Sequence, residues 1–235
     1  MATRGEFRWP SVGTFSGRLW GGWHGRRQLL ECMSQIERFT LRRAWTALSD
    51  EELFFEPVPG AWSIRRRDEC QTPDPFGAGD WVADFAIPEP APVPMTTIAW
   101  LYWHVASVPG RFCDLDFFGG TRTMASDWTS PYLAHHPMFT SAPEAVSTLR
   151  DGWEQLRRVI EGAGDDRLEV ESASYSYAPA PPKGGLCVLG SPGPPRPAFH
   201  FVAGALNEVS HHGAQIGAVR DLYAWHRSTG VHAAR

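Results

Sequence analysis

Proline placement constrains this chain more than any other feature. Of its 20 prolines, eight fall between Pro57 and Pro94 and seven between Pro179 and Pro197. A proline inside a helix removes a backbone hydrogen bond and clashes with the preceding turn, at about 3 kcal/mol each. Segments 57–95 and 172–198 are therefore excluded as helix interiors and are expected to be long crossover loops. Helical periodicity has to be sought in the four blocks that remain.

Each block carries one apolar stripe at spacings of three and four, the signature of a helix with a single buried face. The first runs from Arg27 to Leu48, with Leu29, Met33, Ile36, Thr40 and Ala44 on the stripe. Ser49-Asp50-Glu51-Glu52 then reads as the N-cap of a short helical turn. The second runs from Thr96 to Phe118, with Leu101, Val105, Val108, Phe112 and Leu115, and Pro109 predicts a kink or break inside it. The third opens on the capping box Ser141-Ala142-Pro143-Glu144, continues through Val146, Leu149, Trp153, Leu156 and Ile160, and should stop at Gly162. The fourth runs from Phe199 to Trp225, with Phe201, Ala205, His212, Ile216, Val219 and Tyr223 along one side.

No strong strand alternation interrupts this pattern, and Gly184–Gly190 is the one short stretch open to a strand or a loop reading. The fold class expected is all-α: a four-helix bundle with long crossover loops. One domain over 1–235 is expected, with 1–26 as an N-terminal arm.

Composition narrows the function classes. The formal net charge is −4, with no basic excess to neutralise phosphates, which argues against nucleic acid as a partner. Apolar runs such as Thr97–Trp103 fall far short of the ~20 residues of a membrane span, and no apolar core follows Met1-Ala2-Thr3-Arg4-Gly5-Glu6. Cys32, Cys70, Cys113 and Cys187 lie far apart in sequence, with no C-x-x-C pair, and read as reduced thiols in a cytoplasm. The nucleophile-elbow, H-E-x-x-H, P-loop and dinucleotide-binding patterns are all missing.

Three side chains stand out against that background. His104 shares the stripe of the second block, three residues after Leu101 and four before Val108. Glu208 and His212, at i and i+4, share one face of the fourth. Two imidazoles and a carboxylate from two neighbouring helices can converge on one divalent ion and leave coordination positions open, as catalytic sites do. Spacing alone equally allows a hydrogen-bonded core network. His211 is a rival ligand directed about 100° around the helix, and His135-His136 read as loop or rim residues.

Taken together the motifs are familiar. Leu48–Leu53 followed by Pro57-Val58-Pro59-Gly60-Ala61-Trp62-Ser63-Ile64, then Thr97-Ile98-Ala99-Trp100-Leu101-Tyr102-Trp103-His104, then Asn207-Glu208-Val209-Ser210-His211-His212-Gly213-Ala214-Gln215, occur in this order. The chain resembles, over about residues 27 to 226, the DinB-like superfamily of metal-binding four-helix bundles. That superfamily includes YfiT-like proteins and thiol-dependent transferases and isomerases. Asp221-Leu222-Tyr223 is similar to an actinobacterial branch.

The resemblance implies that His104, Glu208 and His212 are the metal ligands. Many members carry His where this chain has Glu208, and a carboxylate there widens the acceptable ions to Zn, Ni, Fe or Mn. It further implies a metal-dependent thiol transferase, in which a low-molecular-weight thiol such as mycothiol attacks a small electrophile. The alternatives are a non-catalytic metal-binding stress-response or small-molecule-binding protein, and a metal-dependent hydrolase. The partner expected is a small-molecule substrate, with a homodimer as the oligomeric state to test, and the Pro-rich segments are expected to form the rim that selects the substrate.

Overall fold

The first helix shows how local sequence and tertiary packing share control of this fold. The computed structural model describes residues 25–73, 75–77, 79–86, 90–113, 138–178 and 188–230. Helix α1 (Gly25–Ile36) buries Leu29 and Met33 as their spacing predicts. It then widens into a π-helical turn, Glu37–Leu41, before a last helical turn, Arg42–Ala44. The wider turn shifts the phase of the stripe, so Leu41 is fully buried while Thr40 is only half-buried. The helical run ends at Ala44, short of the expected Leu48.

The Ser49 hydroxyl accepts the Glu52 backbone N–H at 3.2 Å and starts the short α2 (Asp50–Leu53). Helix α3 (Ile98–Cys113) buries Ile98, Ala99, Leu101, Tyr102, Val105 and Ala106, so it is enclosed on nearly every side of its first two turns. Of the kink or break expected near Pro109, there is no break: the helix continues through the proline to Cys113. One proline removes one i→i−4 bond, and the helix is packed against two others.

Helix α4 (Ala142–Gly162) begins at the predicted cap and ends at the predicted glycine. Ser141 Oγ accepts the Glu144 N–H at 3.4 Å, and the Glu144 carboxylate accepts the Thr140 N–H at 3.1 Å. A short α5 (Asp165–Leu168) follows. Helix α6 (Ala198–Thr229) starts directly after Pro197 and stops at Gly230. That glycine has φ +66°, a left-handed conformation that costs glycine nothing.

The all-α expectation is corrected in one respect: both Pro-rich segments contain a small antiparallel sheet. Strand β1 (Ile64–Arg66) pairs with β2 (Trp81–Ala83), Ile64 opposite Ala83. Strand β3 (Glu171–Ala178) pairs with β4 (Val188–Pro197), Glu171 opposite Pro197, with two register shifts between. Every strand of a two-stranded sheet is an edge strand, where a proline without N–H is tolerated.

The chain is thus mostly helical. Helix α3 packs on α4 and α6, and α1 packs on the same two, so contacts run in a closed cycle through the four long helices. Their buried faces share one core, centred on Met33, Leu41, Tyr102, Leu149, Trp153 and Ile216. Among the described residues no helix is long and apolar enough to cross a membrane. His24, His135, His136, His232, Leu115, Cys187 and most of the 1–26 arm lie outside the described residues, while Cys32 and Cys70 are free thiols.

Candidate metal centre

The α3–α6 contact brings His104, Glu208 and His212 together. One nitrogen from each imidazole and one oxygen of the carboxylate all lie within 4.8 Å of one another. Glu208 Oε2 is 3.6 Å from His104 Nε2 and 3.3 Å from His212 Nε2. The two imidazoles meet edge to face with centroids 4.6 Å apart. The group is reachable from solvent on its carboxylate side: Glu208 is 49% exposed and His104 38%, against 14% for His212. Among the described residues no fourth His, Cys, Asp or Glu shares it.

Neighbouring side chains hold both imidazoles. The Trp100 indole, on the preceding turn of α3, stacks on His104 with centroids 5.3 Å apart and planes at 12°. Trp100 is itself anchored, its Nε1–H donating to the Asp84 carbonyl at 2.8 Å. Asp84 is fully buried. Its carboxylate accepts from the backbone N–H groups of Ser63 and Gln71 at 2.9 Å, from Arg65 Nε at 2.8 Å and from the Cys70 thiol at 3.1 Å.

On α6, Gln215 Oε1 lies 2.6 Å from His212 Nδ1. An amide oxygen there accepts the Nδ1–H and leaves the Nε2 lone pair facing Glu208 and His104, the way an outer partner sets a ligand tautomer. His211 lies outside the three-residue group, yet its ring stacks on His212 at 4.7 Å and 8°. Its side chain has folded back over its neighbour rather than standing about 100° away.

Electrostatics favour an ionised Glu208 and a neutral His212. Hydrogen bonding to His104, aided by the charge on the surrounding imidazoles, holds Glu208 below the usual carboxylate range despite partial burial. Burial and the neighbouring His104 push His212 below its ordinary value, outweighing Gln215 and Glu208. A neutral imidazole beside an ionised carboxylate is a ligand pair ready for a divalent cation.

Two N donors and one O donor fit Zn, Ni, Fe or Mn. The other described histidines do not join them: His200 packs edge-on against Phe201, and His226 sits beside Phe55 and Trp225. A separate surface groove of about 540 Å³, lined by Arg38, Arg42, Trp45 and Arg157 among others, includes none of the three.

Trp100, Gln215 and Asp84 support the centre without standing out in the sequence. Trp100 precedes His104 by four residues and Gln215 follows His212 by three, both helical-neighbour spacings that were legible. Nothing local marks Asp84, whose partners come from across a loop.

No curated protein and no solved structure matches the chain. A family model does match, over residues 82–216, a span that holds α3, α4 and all three members of the candidate centre. Covering more than half of the sequence, including the Thr97–His104 and Asn207–Gln215 motifs, that match shows that the chain belongs to the DinB superfamily.

Proposed function

We propose that this chain is a metal-dependent enzyme of the thiol transferase type, joining a low-molecular-weight thiol such as mycothiol to a small electrophile. The proposal takes it as a single cytoplasmic DinB-like domain built on a four-helix bundle. The observation that carries it is the convergence of His104, Glu208 and His212 from two helices, with one side open to solvent.

When bound, a divalent ion supplies Lewis acidity, which lowers the pKa of a coordinated thiol and makes it nucleophilic near neutral pH. The chain's own residues supply the rest. Trp100 and Gln215 orient the two imidazoles, and Glu208 contributes the negative charge. Segment 57–95 is proposed as rim, supported by the Asp84 carbonyl, which holds Trp100 directly beside the centre.

A second reading is a metal-binding or small-molecule-binding protein without turnover. It is supported by the same convergence, since three ligands can hold an ion whether or not a reaction follows. One experiment separates the readings. Purified protein is analysed for metal, then titrated by calorimetry with mycothiol, bacillithiol and glutathione, and tested for conjugation to epoxide and halide electrophiles. Thiol binding with product formation supports the enzyme; metal without thiol binding supports the second reading; a chain that takes up no divalent ion overturns both metal-based readings.

A further inference from the structure

Beside the metal centre, α6 makes an unusually close approach to the π-helical turn of the first helix. Gly213 follows His212 directly and is buried. A Cβ on Gly213 would lie 2.5 Å from Thr40 Cγ2, 3.4 Å from Leu41 Cδ2 and 3.8 Å from Thr40 Cβ. Only the first of these is prohibitive, because carbon atoms pack at about 3.5–4.0 Å. The obstructing methyl belongs to a β-branched residue with few rotamers. Behind it, Leu41 is fully buried in the core, so the turn has little room to retreat. One helical turn further on the situation differs: a Cβ on Gly217 would make an ordinary 3.9 Å contact with Arg43 Nη1.

We propose that Gly213 is a positioning residue for the candidate centre, its missing side chain letting α6 settle onto Thr40 so that His212 and Glu208 reach His104. This rests on the metal-site reading above. Relieving a 2.5 Å contact needs about 1 Å of movement. Metal–ligand distances tolerate only about 0.2 Å. A methyl at position 213 is therefore small for the fold and large for the site. The π-helical turn is part of the device, since Thr40 and Leu41 belong to it and both face Gly213.

The test uses the full chain in four forms: wild type, Gly213→Ala, the double variant Gly213→Ala with Thr40→Ser, and Gly217→Ala. Thr40→Ser removes only the obstructing methyl. Two quantities are read: Zn²⁺ affinity by competition with a chromophoric chelator, and the NMR cross-peak between the His104 and His212 ring protons in metal-free protein.

Gly213→Ala is expected to weaken Zn²⁺ binding about 10-fold or more and to lose the cross-peak. The double variant should recover both, and Gly217→Ala should match wild type. If Gly213→Ala does not fold, recovery of fold and cross-peak in the double variant supports the proposal. Wild-type affinity and cross-peak in Gly213→Ala would overturn it, as would failure of Thr40→Ser to rescue. A wild type that shows the cross-peak but binds no Zn²⁺ would overturn the metal reading, and the cross-peaks alone would then decide the role of Gly213.

Discussion

The imidazole of His104 lies almost parallel to the indole of Trp100 on the preceding turn of the same helix, at 12° and 5.3 Å between centroids. That stack links the candidate centre to the small β1–β2 sheet, because Trp100 also donates its indole N–H to the carbonyl of Asp84. An aromatic cluster of Trp62, Phe76, Phe85 and Trp103 surrounds the pair. The ring is held in place mainly by packing, so perturbing the packing should move the site.

Trp100→Phe keeps an aromatic face but leaves the Asp84 carbonyl without this donor. It should cost about 1–3 kcal/mol of stability and retain most metal affinity. Trp100→Ala should cost about 3–5 kcal/mol and weaken metal binding as well. Urea unfolding and metal titration of the two variants would show whether the stack, beyond mere bulk, orients His104.

His104→Ala and His212→Ala should each abolish stoichiometric metal binding and leave a folded helical protein. The shared apolar core holds the helices together, and neither histidine belongs to it. Elemental analysis together with far-ultraviolet circular dichroism tests this. Loss of helix in either variant would mark the site as structural.

Glu208→Gln keeps the shape of the side chain but removes its charge, and should weaken divalent-ion binding by an order of magnitude or more. Glu208→His should keep binding and shift preference toward zinc or nickel, for which neutral imidazole is a good ligand. Equal affinity of wild type and Glu208→Gln in a dye competition assay would place Glu208 outside the coordination sphere.

Gln215→Leu removes the acceptor for His212 Nδ1–H. Metal affinity should fall about 10–100-fold, and imidazole NMR should show a mixture of His212 tautomers in the metal-free protein. Gln215→Glu, which retains an acceptor at that position, should keep the Nδ1–H tautomer.

Asp84→Ala leaves the Arg65 guanidinium with Glu56 and the Ala61 carbonyl only, and strips acceptors from two backbone N–H groups. Breaking a buried charged network from one side costs about 3–5 kcal/mol. Chemical denaturation should show that loss. Metal affinity should fall too if the β1–β2 segment transmits its position through Trp100.

Much of this protein is written locally. Ser141 and Gly162 mark the two ends of α4, and Ser49 starts α2, because caps act on backbone groups within three or four residues. The buried positions Leu29, Met33, Leu149, Trp153, Leu156, Ile160, Ile216 and Val219 follow from helical period. His104, Glu208 and His212 were legible as candidates for the same reason, since spacing decides which face of a helix each occupies. Their placement on one ion was implied by family resemblance rather than by period.

Other features depend on contacts between segments distant in sequence. The π-helical turn at Glu37–Leu41 moves burial from Thr40 to Leu41, and it sits where α6 presses Gly213 against the first helix. The strand β3 carries a Ser–Ala–Ser–Tyr–Ser–Tyr alternation that its proline-rich surroundings masked, and among the described residues its pairing comes from β4. Asp84 reads as an ordinary acidic residue until the chain folds over it. The 4.6 Å meeting of two imidazoles belongs to the same class. Local sequence sets the direction of a side chain relative to its own helix, whereas the distance between two helices is set by every side chain, or missing side chain, packed between them.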